Sequence, residues 1–217
     1  MTQAPQIDGR FARSIRTRRA VVEALLDLIL DGDLRPTAIR IAEHAGISPR
    51  LVFHHFEDLE AIYSELARTQ AERVKPLIGP VPTSLPLPQR IEVFTAQRGR
   101  VLETLSPVRR AAVLLEPFRP ELARQLDLSR KLMSAATLAA FEPELSQLPD
   151  TERRTTAAAL DLVASWTAWE QMRRHQHLPQ IQAREVMAAT IGALLTNRPL
   201  PVSPRHSWRG VRGEVPN

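Results

Sequence analysis

Apolar residues recur along this chain at the spacing of an α-helix, and this periodicity limits the fold more than any other feature of the sequence. A helix over residues 14–31 is predicted by four apolar residues at positions i, i+3, i+4 and i+7, namely Val22, Leu25, Leu26 and Ile29. No run of alternating β-branched and polar residues of strand length stands out. The sequence therefore predicts an all-α protein.

Three further helices are predicted before residue 75. They run from about Thr37 to Ala45, from Pro49 to His54 and from Asp58 to Arg73. Ser48 directly precedes Pro49, and a serine followed by proline is preferred at the start of a helix.

Residues 76–88 are rich in proline, and they divide the predicted helices into two groups. Proline has no backbone N–H, so this density excludes a helix and predicts a stiff, extended connector. We expect five parts along the chain: a flexible basic arm (1–13), a helical domain (14–75), the connector (76–88), a larger helical domain (89–197) and a disordered basic tail (198–217).

Beyond the connector, single prolines separate the predicted helices. Pro107 is interpreted as the start of a new helix, because proline disrupts a helix interior. On this basis the second domain contains helices at about 107–115, 119–141, 150–176 and 181–196, after an apolar stripe that includes Ile91 and Leu102.

The composition excludes several classes of protein. The chain has 217 residues and no cysteine, so a disulfide scaffold, a zinc–thiolate site and cysteine catalysis are all impossible. No apolar run reaches the roughly 18 residues that a membrane span needs, and the N-terminus lacks the apolar core of a secretory signal. These features predict a cytoplasmic protein without a membrane partner.

The charge of the chain favours a polyanionic partner. The net charge is +5, and the positive charge is concentrated in residues 1–20 and 198–217. There is no phosphate-binding loop, no glycine-rich dinucleotide fingerprint, no metal-ligand cluster and no recognisable serine–histidine grouping, so we expect no enzyme, no cofactor and no metal. His44, His54 and His55 do not predict a metal site, since His44 lies on another helix and adjacent histidines point in different directions.

The segment Thr37–Phe56 has the pattern of a helix-turn-helix. Small residues at Ala42 and Ala45 allow two short helices to cross closely, and Gly46 relieves the tight turn between them. The second helix would expose four residues, Pro49, Arg50, Phe53 and His54. A helix of this size fits the major groove of duplex DNA.

From about Arg16 to Leu66 the sequence resembles the DNA-binding domain of the TetR family of bacterial transcriptional regulators. The residues that carry the resemblance are Pro36-Thr37, Ile41-Ala42, Ala45-Gly46-Ile47-Ser48, Val52-Phe53-His54-His55-Phe56 and Glu60-Ala61-Ile62. The resemblance implies a three-helix DNA-binding domain followed by a helical ligand-binding and dimerisation domain. It covers about a quarter of the chain at the strength of a motif.

The resemblance also implies which residues contact DNA. They are Thr37, Ser48, Pro49, Arg50, Phe53, His54 and His55, with His55 either near a phosphate or bracing the helix pair. Two departures remove phosphate contacts, because Phe53 stands where tyrosine is usual and Leu59 where lysine is usual. We expect basic residues of the N-terminal region, including Arg16 and Arg18, to compensate.

In the second domain the resemblance implies a ligand pocket and a dimer interface. Candidate pocket residues, for which plain core packing stays open, are Phe94, Arg98, Phe118, Met133, Phe141, Trp166, Trp169 and Met172. Arg98 falls on an apolar stripe, so its charge must be paired, exposed at an edge or used by a ligand. Candidate dimer contacts on the last two long helices are Ala157, Leu160, Ala164, Val186, Thr190, Ile191 and Leu194.

The expected function is therefore a homodimeric, ligand-responsive regulator, a repressor that binds a palindromic double-stranded operator and is released by a small molecule. The alternative is a constitutive DNA-binding or protein-interaction module without an effector. A solid second domain together with DNA affinity that no compound changes would favour the alternative.

Overall fold

The computed structural model of the chain describes residues 9–196, and its regular structure there is helical, without a strand. The prediction of an all-α protein is confirmed. The α-helices are α1 (Gly9–Leu30), α2 (Ala38–His44), α3 (Pro49–His55), α4 (Leu59–Val74), α5 (Leu87–Leu115), α6 (Pro120–Ala140), α7 (Glu142–Leu145), α8 (Asp150–Val163), α9 (Trp166–Glu170) and α10 (Gln180–Thr196). Two 3₁₀ turns (Lys75–Leu77 and Glu116–Phe118) and a π-helical turn (Gln171–His175) complete them.

A first hydrophobic core joins α1, α2, α3 and α4. Its side chains are mainly aliphatic, with Leu25, Ile41, Val52 and Leu66 fully buried. The apolar stripe predicted on α1 supplies one side of this core, which explains why a helix with a polar outer face folds against the other three.

A second core lies among the helices that follow the connector. It contains large residues of α5, α7, α8 and α10 together with the rings of Phe94, Phe141 and Trp169. A Cβ added at Gly99 would come within 3.2 Å of the Trp169 ring, so this glycine lets the indole lie directly against α5.

Helix α5 belongs to both cores. Ile91, Phe94 and Leu102 on its N-terminal part are buried in the second core, whereas Val108 and Ala111 on its C-terminal part are buried in the first. The two groups of helices are thus joined by one continuous rod as well as by the connector.

The prediction that a new helix begins at Pro107 is wrong, because α5 runs through this proline to Leu115. Proline at this position removes the backbone N–H that would bond to the carbonyl of Glu103. The helix continues because burial in a core on either side holds it, and the Ser106 hydroxyl donates to the Leu102 carbonyl at 2.7 Å. Pro107 marks the boundary between the two cores.

Three other predicted boundaries need correction. Helix α1 begins at Gly9, so residues 9–13 of the expected flexible arm are helical. The expected helix over 150–176 is interrupted after Val163, where Ser165 caps α9 by accepting a hydrogen bond from the Ala168 N–H at 3.1 Å. The connector ends early, since Leu87 and Pro88 form the first turn of α5, a position that tolerates proline. The remainder of the arm and the tail over 198–217 lie outside the described residues.

The connector is fastened to α5 by side-chain hydrogen bonds. The Gln97 amide donates to the Gly79 carbonyl at 3.0 Å, and the Arg90 guanidinium donates to the Thr83 carbonyl at 2.7 Å and pairs with Glu144. Within residues 9–196, none of the helices has the length and apolar character required to cross a membrane.

Candidate nucleic-acid interface

Helices α2 and α3 form the predicted helix-turn-helix, and a hydroxyl caps each of them. The Thr37 hydroxyl accepts from the Arg40 N–H and the Ser48 hydroxyl accepts from the Leu51 N–H, both at 3.3 Å. Gly46 has φ +66, a left-handed conformation that glycine adopts without strain. These local features fix where α2 ends and α3 begins.

The inner face of the motif is anchored in the first core. Ile41, Ala42 and Val52 are fully buried, and Phe56 directly after α3 is 2% exposed. The Ile47 N–H donates to the Ala42 carbonyl at 3.0 Å and closes the turn. Because these contacts lie on one side of α3, the angle of α3 relative to α2 is fixed by the core.

The opposite face of α3 is open to solvent. Pro49, Arg50, Phe53 and His54 are all exposed, with Phe53 51% exposed despite its apolar ring. A guanidinium, an aromatic ring and an imidazole on one short helix can donate to base edges or phosphates and pack against sugars or thymine methyl groups. Thr37 and Ser48 are exposed at the ends of the same surface.

Arg18 has a different environment from the one expected of a DNA contact. Its guanidinium donates to the His55 carbonyl, lies 4.3 Å from the centre of the Phe56 ring and is 3.9 Å from a Glu65 carboxylate oxygen. These contacts tie the C-terminal end of α3 to α1 and α4. The side chain is therefore engaged inside the domain, whereas Arg16 is exposed to solvent on α1.

His55, the last residue of α3, is half-buried, and its ring nitrogen lies 3.5 Å from the Ser14 hydroxyl on α1. Burial lowers the pKa of His55, and the nearby His54 and Arg18 lower it further. Because these effects disfavour the charged imidazole, the geometry matches the bracing role rather than a phosphate contact.

Leu59, the residue in place of the usual lysine, packs against the first core at the start of α4. Next to it a cleft of about 210 Å³ separates Thr37 and the start of α4 from the junction of α5 and α6. Glu60 and Arg119 form an ion pair at 2.9 Å across this junction. The start of α4, which lines this cleft together with Thr37, is thus linked directly to the second group of helices through Glu60.

The candidate pocket residues lie in two different environments. Phe94, Phe141, Trp169, Met172 and Arg98 are buried together in the second core, while Met133 and Trp166 are half-buried at its edge. The Phe94 and Phe141 rings pack edge to face with centroids 5.1 Å apart. The expectation for Phe118 is corrected, because this residue is 72% exposed on a surface turn.

The candidate dimer contacts also separate into two sets. Leu160, Ala164 and Ile191 are corrected, since they are buried within their own subunit. Val186 and Thr190 are exposed, and Ala157 and Leu194 are half-buried. The outward face of α8 and α10 contains residues that the sequence analysis did not name, including Ala158, Leu162, Ala189 and Ala193.

The sequence does not distinguish these outward-facing residues from the inward-facing apolar residues of the same helices. Ala158 and Leu162 are one helical turn apart, as are Ala189 and Ala193, but each helix also has apolar residues on its inner face. In residues 9–196 no group of three or more acidic or histidine side chains is arranged to hold a metal ion.

Comparison with solved structures shows which fold this is. The chain is similar to a candidate TetR-family transcriptional regulator from Mesorhizobium loti (TM-score 0.61, 23% identity, covering 84% of this chain and 96% of that one). It is also similar to a TetR-family transcriptional regulator from Streptomyces coelicolor (TM-score 0.57, 19% identity, 83% and 80%) and to the multidrug binding protein EbrR complexed with imidazole (TM-score 0.56, 18% identity, 93% and 100%).

At sequence level nothing matches: no protein-family model fits the chain, and no curated protein resembles it closely enough to count as a relative. The chain nevertheless has the fold of TetR-type transcriptional regulators, with an N-terminal helix-turn-helix and a helical C-terminal part.

Proposed function

We propose that this protein is a TetR-family transcriptional regulator that binds double-stranded DNA through α3. The observation that carries the proposal is the division of α3 into a buried side at Val52 and an exposed side with Arg50, Phe53 and His54. A short helix held in this way can enter the major groove without losing its contacts to the domain.

The DNA-contact residues of the proposal are Thr37, Ser48, Pro49, Arg50, Phe53 and His54, supported on α1 by the exposed Arg16. Arg18 and His55 hold α3 in position instead of contacting DNA. The site of action is the cytoplasm, where the target DNA is found.

A homodimer is part of the proposal. The outward face of α8 and α10 includes small and apolar residues such as Ala158, Leu162, Ala189 and Ala193, which permit close packing of helices from a second copy. Two copies would place their α3 helices in successive major grooves, roughly 34–36 Å apart, and would therefore favour a palindromic operator.

The proposal includes repression that a small molecule relieves. Support comes from the fold shared with a multidrug binding protein and from the rod of α5, which links the second core to the first. A ligand in the second core would shift the spacing of the two reading helices only if it binds the two arrangements unequally. The competing proposal is a regulator without an effector, which the burial of Phe94, Phe141 and Trp169 among the other side chains of the second core favours.

An electrophoretic mobility assay on the DNA flanking the protein's own gene tests the proposed function. The wild type should retard a fragment that a scrambled sequence does not compete away, and sedimentation should give a dimer. Arg50→Ala should weaken specific binding, whereas Arg124→Ala, which changes an exposed arginine on α6, should not. A monomer that ignores duplex DNA would contradict the proposal. Release of the DNA by an added lipophilic compound would favour the effector-dependent form, and DNA affinity that no compound changes would favour the constitutive form.

A further inference from the structure

Two arginines on α5 are buried, and they differ in what balances their charge. Arg90, which is 2% exposed, pairs with the carboxylate of Glu144. Arg98, about two helical turns further along, is 5% exposed and makes no ion pair within the described residues 9–196. Of the three alternatives expected for the charge of Arg98, which are pairing, exposure at an edge and use by a ligand, this burial excludes exposure.

The polar partners of the Arg98 guanidinium in the described part of the chain are all neutral. It donates to the Met133 carbonyl at 2.8 Å, to the Thr137 hydroxyl at 2.9 Å and to the Ala164 carbonyl at 3.3 Å. It also lies 4.9 Å from the centre of the Phe94 ring. These groups satisfy hydrogen bonds, but none of them carries the negative charge that would offset burial of a cation.

The guanidinium stays charged at neutral pH in spite of its burial. Burial lowers the pKa of Arg98 to about 10, and the charge of Asp161, which lies beyond ion-pair distance, acts in the opposite direction. A positive charge in an apolar core is therefore a lasting feature of the molecule.

The second core, in which Arg98 is buried, is rich in methionine. Three of the four methionines of the chain, Met133, Met172 and Met187, pack in or against the second core. Methionine is unbranched and flexible, so its side chain can move aside for a ligand with less strain than a β-branched residue.

The chain that follows the Ala164 carbonyl is irregular. Helix α8 ends at Val163, the next carbonyl, that of Ala164, accepts from Arg98, and a π-helical turn follows at Gln171–His175. His177 has φ 55, a left-handed conformation that is uncommon for residues other than glycine. Such irregularities are frequent at functional sites.

We propose that Arg98 anchors an amphipathic anion, a carboxylate carried on an apolar body, and that this is the class of effector bound by the second core. The carboxylate takes the place of neutral acceptors such as the Ala164 and Met133 carbonyls on the guanidinium. The apolar body lies among the methionines and aromatic rings. The regulatory part of this inference rests on the proposed function, whereas the binding part does not.

Binding of matched probes to the full chain without DNA tests the inference. The probes are octanoate, decanoate and 4-phenylbutyrate, each compared by calorimetry with its own primary amide at neutral pH. Because hydrogen bonds to charged groups are stronger than neutral ones, at least one carboxylate should bind about 10- to 100-fold more tightly than its amide. If no carboxylate in the set binds more tightly than its amide, the inference is overturned.

Two variants identify the residue responsible. Arg98→Met keeps the length and apolar stem of the side chain but removes the charge, so the preference for carboxylate over amide should disappear. The control is the double variant Arg90→Met/Glu144→Leu, which removes a buried arginine together with its partner and should keep the preference. Preference retained in a folded Arg98→Met protein would also overturn the inference. If this variant does not fold, the comparison of each carboxylate with its amide on the wild-type protein still tests the inference.

The outcomes separate the inference from the proposed function. A protein that retards its operator but shows no carboxylate preference keeps the proposed function and loses the inference. A protein that prefers carboxylates but ignores duplex DNA keeps the binding site and loses the proposed function. Release of operator DNA by the carboxylate and not by its amide supports both.

Discussion

The two hydrophobic cores of this protein are built from different kinds of side chain. The first core is mainly aliphatic, with residues such as Leu25 and Ile41 beside the rings of Phe56 and Tyr63, and none of its described residues is methionine. The second contains aromatic rings, methionines and the buried charge of Arg98. Branched aliphatic side chains have few rotamers, whereas methionine has many. The difference indicates a rigid support for the exposed helix α3 and a deformable interior where a ligand is proposed to bind.

The largest predicted effect tests whether the first core is the more rigid. Ile62→Ala in the first core should lower the free energy of unfolding by about 2–5 kcal/mol, because neighbours that cannot relax leave a cavity. Met187→Ala in the second core should lie at the lower end of that range. Urea unfolding at a fixed protein concentration measures both.

If Met187→Ala lowers the free energy of unfolding more than Ile62→Ala does, the first core is not the more rigid of the two. Leu66→Met and Met187→Leu serve as volume-conserving controls, and each should cost less than about 1.5 kcal/mol.

The next predicted effect, about 1–3 kcal/mol in specific DNA binding, concerns arginines in the N-terminal domain. Arg50→Ala removes a group exposed on α3 and should reduce discrimination between operator and scrambled DNA. Arg18→Met removes the link to the His55 carbonyl and should weaken operator binding without changing the slope of log K against log salt.

Arg16→Met provides the contrast, because this exposed residue is proposed to contact phosphate. For this variant the slope of log K against log salt should fall by about one unit. Equal slopes for Arg16→Met and the wild type would remove Arg16 from the interface, and a reduced slope for Arg18→Met would return Arg18 to it.

The sequence predicted the motif around α2 and α3 well because its signals are local. Thr37 and Ser48 cap helices that begin directly after them, and Gly46 has the left-handed conformation that its turn requires. The role of Arg18 was not predictable in this way. Its partner is the carbonyl of a residue 37 positions away, and only the tertiary structure brings the two together.

In the second domain the helices were easier to predict than their facing sides. The bounds of α6 and α10 agree closely with the predicted 119–141 and 181–196. On α10, however, Ile191 is buried and Ile181 is 65% exposed, although both are isoleucines. A helix with apolar residues around its circumference does not indicate which side faces the core.

Helix caps offer a third, smaller test of the comparison between the two domains. Ser48 and Ser165 cap α3 and α9 in the same way, through a hydroxyl that accepts from a backbone N–H three residues on. Each serine-to-alanine change should cost about 1 kcal/mol of stability, within a range of about 0.5–2 kcal/mol.

Only Ser48→Ala should also reduce operator binding, because it loosens the helix that enters the groove. A mobility assay beside thermal unfolding measures both properties. An equal loss of DNA affinity in Ser165→Ala would contradict this expectation. It would show that the second domain also controls the position of α3.

The smallest predicted effect concerns the ion pair of Glu60 with Arg119, which links the start of α4 to the junction before α6. Their side chains are 30% and 46% exposed, so solvent screens the attraction, and a double-mutant cycle should give a coupling of roughly 0.2–1 kcal/mol that decreases with added salt.

The variants of this cycle are Glu60→Gln, Arg119→Gln and the combination. The matched control is the pair Glu121 and Arg124, which lies within α6 and connects no separate parts. Both cycles should give similar couplings in stability, yet only the cycle at Glu60 should change the amount of carboxylate needed to release DNA. If both cycles leave that amount unchanged, the signal between the two cores travels through α5 alone, past Pro107.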